Sequence, residues 1–174
     1  MQRTHLCRII ENGDIMATKT NAVRLVQQAK LPCRESFYEF DENDLNGNHA
    51  AAAIGFPPEQ VFKTLVARGA SKKIYVYVVP VAMSLDLKKA AKAAGEKSIA
   101  MVGVSEINGL TGYVRGGCSP IGMKKNYPCF YHESILQQNT VMVSAGKIGY
   151  QVELTPNDLI KLTSGKTADI AAEE

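Results

Sequence analysis

Two runs of apolar, β-branched and aromatic residues, 61–67 and 74–79, are separated by the turn-like Gly69-Ala70-Ser71-Lys72-Lys73. Both have the length and composition of strands. So short a connection joins antiparallel neighbours, because a parallel crossover needs about a dozen residues or more. The pair therefore demands a sheet, and a sheet needs other elements to cover its apolar face. A chain of 174 residues is long enough for one domain whose core needs no disulfide staples.

The rest of the pattern supplies the cover. From Thr20 the residues Ala22, Val23, Leu25, Val26 and Ala29 mark an amphipathic helix that Pro32 stops. Residues 37–40 form a short aromatic strand candidate. Residues 47–54 are alanine-rich and helical, closed by Gly55 and Pro57-Pro58. Ser84 reads as the cap of a helix that runs to Ala94 and ends at Gly95. Residues 99–104 and 110–114 read as strands, followed by a loop after Gly116-Gly117. Residues 140–144 and 148–154 then make a hairpin across Ala145-Gly146-Lys147. Thr155, Pro156 and Asp158 open a last helix as cap, first helical position and capping acid. The expected fold is α/β of the α+β kind: a mixed, largely antiparallel sheet curled into a partly closed barrel with flanking helices. Residues 1–15 lack periodicity and are expected to be a disordered leader or upstream extension, with a strand through 6–10 as the alternative. Residues 16–174 are expected to form a single domain.

Composition excludes several functions. No apolar run approaches the ~18 residues of a membrane span. The opening residues carry Arg3, Arg8, Glu11 and Asp14 and no apolar h-region, so no signal peptide is read. A cytoplasmic protein is expected, and no membrane partner. Four cysteines without a dense spacing fit a reducing compartment. The net charge of +3 and pI of 8.6 permit an anionic partner without requiring one. No DNA partner is expected. Cys129-x-x-His132 is half of a zinc-like spacing, but a structural site needs four ligands, so no metal is expected. Walker and dinucleotide motifs are missing too, and no cofactor is expected.

Some residues invite chemistry. Lys63 stands mid-strand among Val61, Phe62, Thr64, Leu65 and Val66. It is either a solvated edge lysine or a pocket lysine aimed at a carbonyl, carboxylate or phosphate. Cys118 is either a thiol nucleophile or a small buried residue beside a tight turn, and the latter is favoured because it lacks a clear partner base. Ser119, before Pro120, is a turn residue. The turn Gly116-Gly117-Cys118-Ser119-Pro120 could aim backbone N–H groups at a reacting oxygen, and residues 143–146 make a similar offer around Ser144. Lys88, Lys89 and Lys92 share a helix, and Lys124-Lys125 form another basic pair. Either group could follow a phosphate backbone or simply face solvent.

Taken together, Phe62-Lys63-Thr64-Leu65, Leu85-Asp86-Leu87-Lys88-Lys89-Ala90, Thr111-Gly112-Tyr113, Gly116-Gly117-Cys118-Ser119-Pro120-Ile121-Gly122 and Ser144-Ala145-Gly146-Lys147 resemble the YbaK family of aminoacyl-tRNA deacylases. The resemblance runs in register from about residue 20 to 170. It implies a barrel-like mixed sheet and a trans-editing activity that cleaves the ester of mischarged cysteinyl-tRNA(Pro), and also of Cys-tRNA(Cys). It implies Lys63, Gly116 and Ser144 as catalytic, and Tyr38, Thr64 and Gly117 as substrate-binding. Lys88, Lys89, Lys92, Lys124 and Lys125 become candidate tRNA contacts. Prolyl-tRNA synthetase becomes a candidate partner. The chain departs from the family at Cys118, where an aliphatic residue is usual, and at Ile148, where an arginine is common. The family tends to begin near Met16, which agrees with a leader. Its implied chemistry is substrate assistance, in which the misattached cysteine's own thiol attacks its ester carbonyl. The rivals are water-driven removal of alanine from tRNA(Pro) and a non-catalytic adaptor that holds tRNA beside the synthetase.

Overall fold

The hairpin demanded by the sequence forms. In the computed structural model, which describes residues 9–10 and 19–173, β3 (Phe62–Gly69) pairs antiparallel with β4 (Ile74–Pro80), setting Phe62 opposite Pro80 and Arg68 opposite Ile74. β6 (Ile99–Met101) pairs with the far end of β3. On the other side β7 (Cys129–His132) runs parallel to β4, and β10 (Lys166–Ala168) runs parallel to β7. This gives a five-stranded sheet in the order β10-β7-β4-β3-β6.

A second sheet of four strands has the order β1-β2-β9-β8, with β1 (Ile9–Ile10), β2 (Arg34–Phe37), β9 (Tyr150–Leu154) and β8 (Val141–Lys147) all antiparallel. β11 (Ala171–Glu173) and β5 (Met83–Leu85) form a separate antiparallel pair. The expected mixed, largely antiparallel α+β architecture is present. The barrel is corrected: among the described residues strand pairing divides among three open sheets, and the two larger ones meet through one parallel bridge, Val61 with Met142. Most of the expected leader, residues 1–8 and 11–15, lies outside the described residues. Ile9 stands opposite Ser36, and Ile10 opposite Glu35.

Side-chain alternation explains how the sheets pack. Phe62, Val66, Val76 and Val78 face Val141, Val143, Val152 and Leu154 of the other sheet, and α1 (Asn21–Gln28) adds Ala22, Val23 and Val26. On the opposite face of the five-stranded sheet, Ala67, Tyr77 and Val79 pack beneath Ala90 and Ala91 of α3 (Leu87–Ala94). Tyr77 donates its hydroxyl to Ala90 O at 3.0 Å, so this buried ring keeps a polar partner. A third small cluster joins Ala51 and Ile54 of α2 (Gly47–Ile54) to Val61, Val81 and Met142.

Helix ends follow their local chemistry, with corrections. Thr20 caps α1, and its hydroxyl also donates to Ala145 O, tying the helix to β8. Gly55 and Gly95 close α2 and α3 at φ +76° and +69°. The cap of α3 is Asp86, whose carboxylate accepts from Lys88 N–H and Lys89 N–H at 3.0 Å each. Ser84 belongs to β5 instead. The strand expected over 110–114 does not form: 110 and 111 end α4 (Val104–Thr111), and 112–114 are irregular backbone. There Gly103 N–H donates to Glu106 Oε2 at 3.0 Å, and Gly112 at φ +85° ends the helix. α5 (Pro156–Thr163) starts as expected, with Thr155 Oγ1 accepting from Asp158 N–H.

Candidate functional site

A cleft of about 730 Å³ opens where the start of β3 approaches β8. The Val61–Met142 bridge fixes that approach, and two residues further along the two strands stand Lys63 and Ser144, both lining the cleft. Ser144 lies directly opposite Gln151 in the β8–β9 register. Along these strands Val143, Ala145, Tyr150 and Val152 turn into the main core, so Ser144 and Gln151 look out on the other face. Lys63 and Thr64, adjacent on β3, project to opposite faces of that strand, and both border the cleft where the strand begins.

The second wall is the segment from Tyr38 to Ala50, and the third is the loop after α4, which contributes Arg115, Gly116 and Cys118. That loop is stitched in place. Buried Tyr113 donates its hydroxyl to Ile121 O at 2.6 Å, and Ile121 N–H donates to Ser119 Oγ at 3.2 Å, which gives Ser119 its expected turn role. Gly116 sits at φ +82° in the left-handed region that favours glycine. Gly117 is needed for another reason. A Cβ there would fall 2.8 Å from Ile148 N and 2.9 Å from the Lys147 carbonyl carbon, backbone atoms of the β8–β9 turn. Gly117 N–H donates to Val114 O at 3.0 Å. Gly117 does not line the cleft itself; it lets the two walls close on each other.

Of the residues singled out in the sequence, Lys63, Gly116, Ser144, Tyr38 and Thr64 thus meet around one cavity, although they come from four separate stretches of chain. The basic residues stand elsewhere. Lys89 pairs with Asp169 at 3.1 Å and donates to Ala171 O at 3.1 Å. Lys88 and Lys92 are exposed on α3, and Lys124 and Lys125 are exposed on the loop before β7. None of these five lines the cleft.

The structure adds residues that the sequence reading missed. Arg115 places a cation on the wall, and exposed Phe40 and Leu45 supply an apolar rim. Asp44 Oδ2 lies 2.6 Å from His49 Nδ1 at the cleft margin. Two polar atoms bordering the cleft, Thr64 Oγ1 and Gln151 Oε1, are buried with no hydrogen-bond partner. A buried polar group left in this state costs about 1–3 kcal/mol, so such atoms are uncommon in a folded chain. Gln151 carried a readable signal: a polar side chain between Tyr150 and Val152 in an apolar strand, the same oddity that marked Lys63.

Cys118 is 8% exposed, and burial pushes its thiol up to about 11, against a weaker opposing hydrogen bond to Thr111. At neutral pH it is therefore a protonated thiol, and the thiolate is the nucleophilic form. Cys129 is buried in the main core, where desolvation pushes its thiol up to about 12, and His132 Nδ1 sits 2.8 Å from Ser134 Oγ. Among the described residues no group of three or more His, Cys, Asp or Glu is placed to hold a metal ion, and no helix is long and apolar enough to cross a membrane. Cys118→Ser is expected to retain deacylation within about threefold and to cost about 1 kcal/mol of stability, read from single-turnover rates and urea unfolding. A folded but inactive Cys118→Ser protein would restore the nucleophile.

An α+β domain with a lysine, a serine and a glycine turn around one cleft is the class that fold and site define. Residues 47–162 match the aminoacyl-tRNA editing domain family. A relative from Enterococcus faecalis, provisionally named a Cys-tRNA(Pro)/Cys-tRNA(Cys) deacylase, EbsC, is 43% identical over 156 residues, covering 90% of this chain and 95% of its own. A solved structure provisionally described as a trans-editing enzyme for prolyl-tRNA synthetase is 27% identical with a TM-score of 0.73, over 91% of this chain and 99% of that one. A scaffold used for computational epitope grafting shares the fold, at a TM-score of 0.78 and 23% identity over 88% and 96% of the two chains. The chain belongs to the aminoacyl-tRNA editing domain family.

Proposed function

We propose that this protein is a cytoplasmic trans-editing deacylase that removes misattached cysteine from tRNA(Pro), and from tRNA(Cys), with no protein nucleophile and no cofactor. The observation that carries the reading is the convergence of Lys63, Ser144 and Gly116 on one cleft whose only cysteine among the described residues is buried and protonated. Such a site can orient an ester and stabilise its oxyanion, but it offers no thiolate. The substrate supplies one. The cysteinyl sulfur attacks its own carbonyl carbon, the bond to the tRNA 3′ oxygen breaks, the thiol proton passes to that oxygen, and the amino acid departs as a cyclic thiolactone. Holding sulfur and carbonyl together is worth up to about 7–11 kcal/mol. Lys63 brings a charge and three N–H donors to the carbonyl or the 3′ end, Gly116 contributes the backbone of its turn to the developing oxyanion, and Tyr38 and Thr64 border the aminoacyl group.

Arg115 with the Phe40 rim suits a terminal nucleotide, since guanidinium and aromatic faces both hold bases. Gly117 would act by keeping the turn close to Lys147 and Ile148. Lys88, Lys92, Lys124 and Lys125, which do not line the cleft, would reach the body of the tRNA, and prolyl-tRNA synthetase would present the mischarged tRNA. Water attack on an alanyl ester has one observation in its favour: the Asp44–His49 pair at the margin could orient an imidazole as a base. Purified protein mixed with cysteinyl-tRNA(Pro) is expected to release the ester far faster than buffer alone. Tight tRNA binding without ester loss would leave the adaptor reading instead.

A further inference from the structure

Thr64 Oγ1 and Gln151 Oε1 come from different sheets, yet both are buried without a partner at the edge of the same cleft. Gln151 as a residue is only 6% exposed, so water can supply little of what its carbonyl oxygen lacks. Both atoms can accept hydrogen bonds, and an amide carbonyl can only accept. Burying two acceptors at the edge of a cleft makes sense if the cleft's occupant brings several donors.

An aminoacyl ester carries one group with several donors. Its thiol is a weak single donor and the ribose hydroxyl offers one O–H, whereas the α-ammonium has three N–H groups and a positive charge. The wall opposite agrees in sign, since Glu39, Asp41 and Asp44 line the same cleft. Lys63 and Arg115 line the cleft too, so a site for an ammonium is set by the two acceptors and the three carboxylates rather than by the charge of the whole cavity.

We infer that Gln151 and Thr64 form an acceptor site for the free α-ammonium of the aminoacyl group, which makes the protein selective for unblocked aminoacyl-tRNA over N-acylated tRNA. The inference rests on the aminoacyl-ester reading of the cleft and adds the part of the substrate that the site recognises. N-acylation removes the charge and two of the three N–H donors while leaving thiol, ester and nucleotide untouched. The two acceptors are then buried against the added acyl group.

The test uses a non-cleavable mimic, 3′-(L-cysteinylamino)-3′-deoxyadenosine, and its N-acetyl derivative, titrated into the protein. Wild type is expected to bind the free amine at least tenfold more tightly, about 1.4 kcal/mol. Gln151→Leu and Thr64→Val should each weaken the free-amine mimic several-fold and bring the two mimics close to equal affinity. Their melting temperatures should be unchanged or higher, because each loses an unpaired buried polar atom. Equal binding of the two mimics by wild type, no binding of either, or a preference that survives in both variants would overturn the inference. Cysteinyl-tRNA deacylation is measured alongside. If the mimic preference holds but wild type leaves cysteinyl-tRNA intact, the deacylase reading fails and the ammonium site stands.

Discussion

Replacing Lys63 with alanine is expected to lower cysteinyl-tRNA deacylation about 100- to 1000-fold, the loss typical of removing one donor that faces a developing oxyanion. Thermal unfolding should move by no more than a few degrees. Lys63 is only half-buried, and the core on its strand is built by Phe62, Val66 and Ala67. Truncation therefore opens no core cavity, which is what makes large-to-small substitutions costly. Lys63→Arg should recover part of the rate by keeping the charge, but not all of it, because a planar guanidinium cannot reproduce the ammonium's geometry. Near-full turnover by Lys63→Ala would make Lys63 an edge lysine that happens to border a cleft.

The central hairpin and most helix stops could be read directly from the chain, for identifiable reasons, and Lys63 could be singled out. Gly55 and Gly95 end helices because the left-handed conformation there carries no side-chain penalty. Lys63 stood out because a charge rarely sits in an apolar strand. What stayed hidden depended on partners far away in sequence. β7 is four residues of aromatic and polar character, and it becomes a strand because β4 and β10 flank it in parallel. Its parallel pairing leaves no turn signature, so Cys129 and His132 looked like a fragment of a metal site. Residues 110–114 have strand-like composition, yet Glu106 and Gly112 cap a helix that takes in the first two and leaves the rest as irregular backbone. The aromatic strand expected at 37–40 forms earlier, as Arg34–Phe37, because its register is set by β9: Phe37 stacks on Tyr150 with ring centroids 4.3 Å apart. The closed barrel failed for a related reason. Alternation says which face of a strand is buried, but not whether two sheets join through a ladder or through a single bridge. Arg115 and Asp44 lie on loops, where no periodicity marks a side chain as facing a cavity, and His49 sits in the first turn of α2.

The second large effect concerns the substrate. Cysteine and serine differ by one atom, and a pocket that separates near-isosteric side chains by fit alone achieves only about 10–200-fold. Substrate assistance should exceed that, because a thiol with a pKa near 8.5 supplies far more anion at neutral pH than a hydroxyl and is the stronger nucleophile. Discrimination then belongs to the chemical step. It should survive at saturating protein, and S-alkylated cysteinyl-tRNA should bind without reacting. The burial of Cys118 matters here, since its protonated thiol does not erase the difference.

Single-turnover rates for cysteinyl-, seryl- and alanyl-tRNA from about pH 6 to about pH 8.5, corrected for spontaneous hydrolysis, test the account most directly. The predicted result is a cysteinyl rate at least about 1000-fold above the other two, beyond what fit alone provides, rising with pH as the substrate thiol ionises. Comparable rates for all three tRNAs would contradict it and transfer the chemistry to an attacking water.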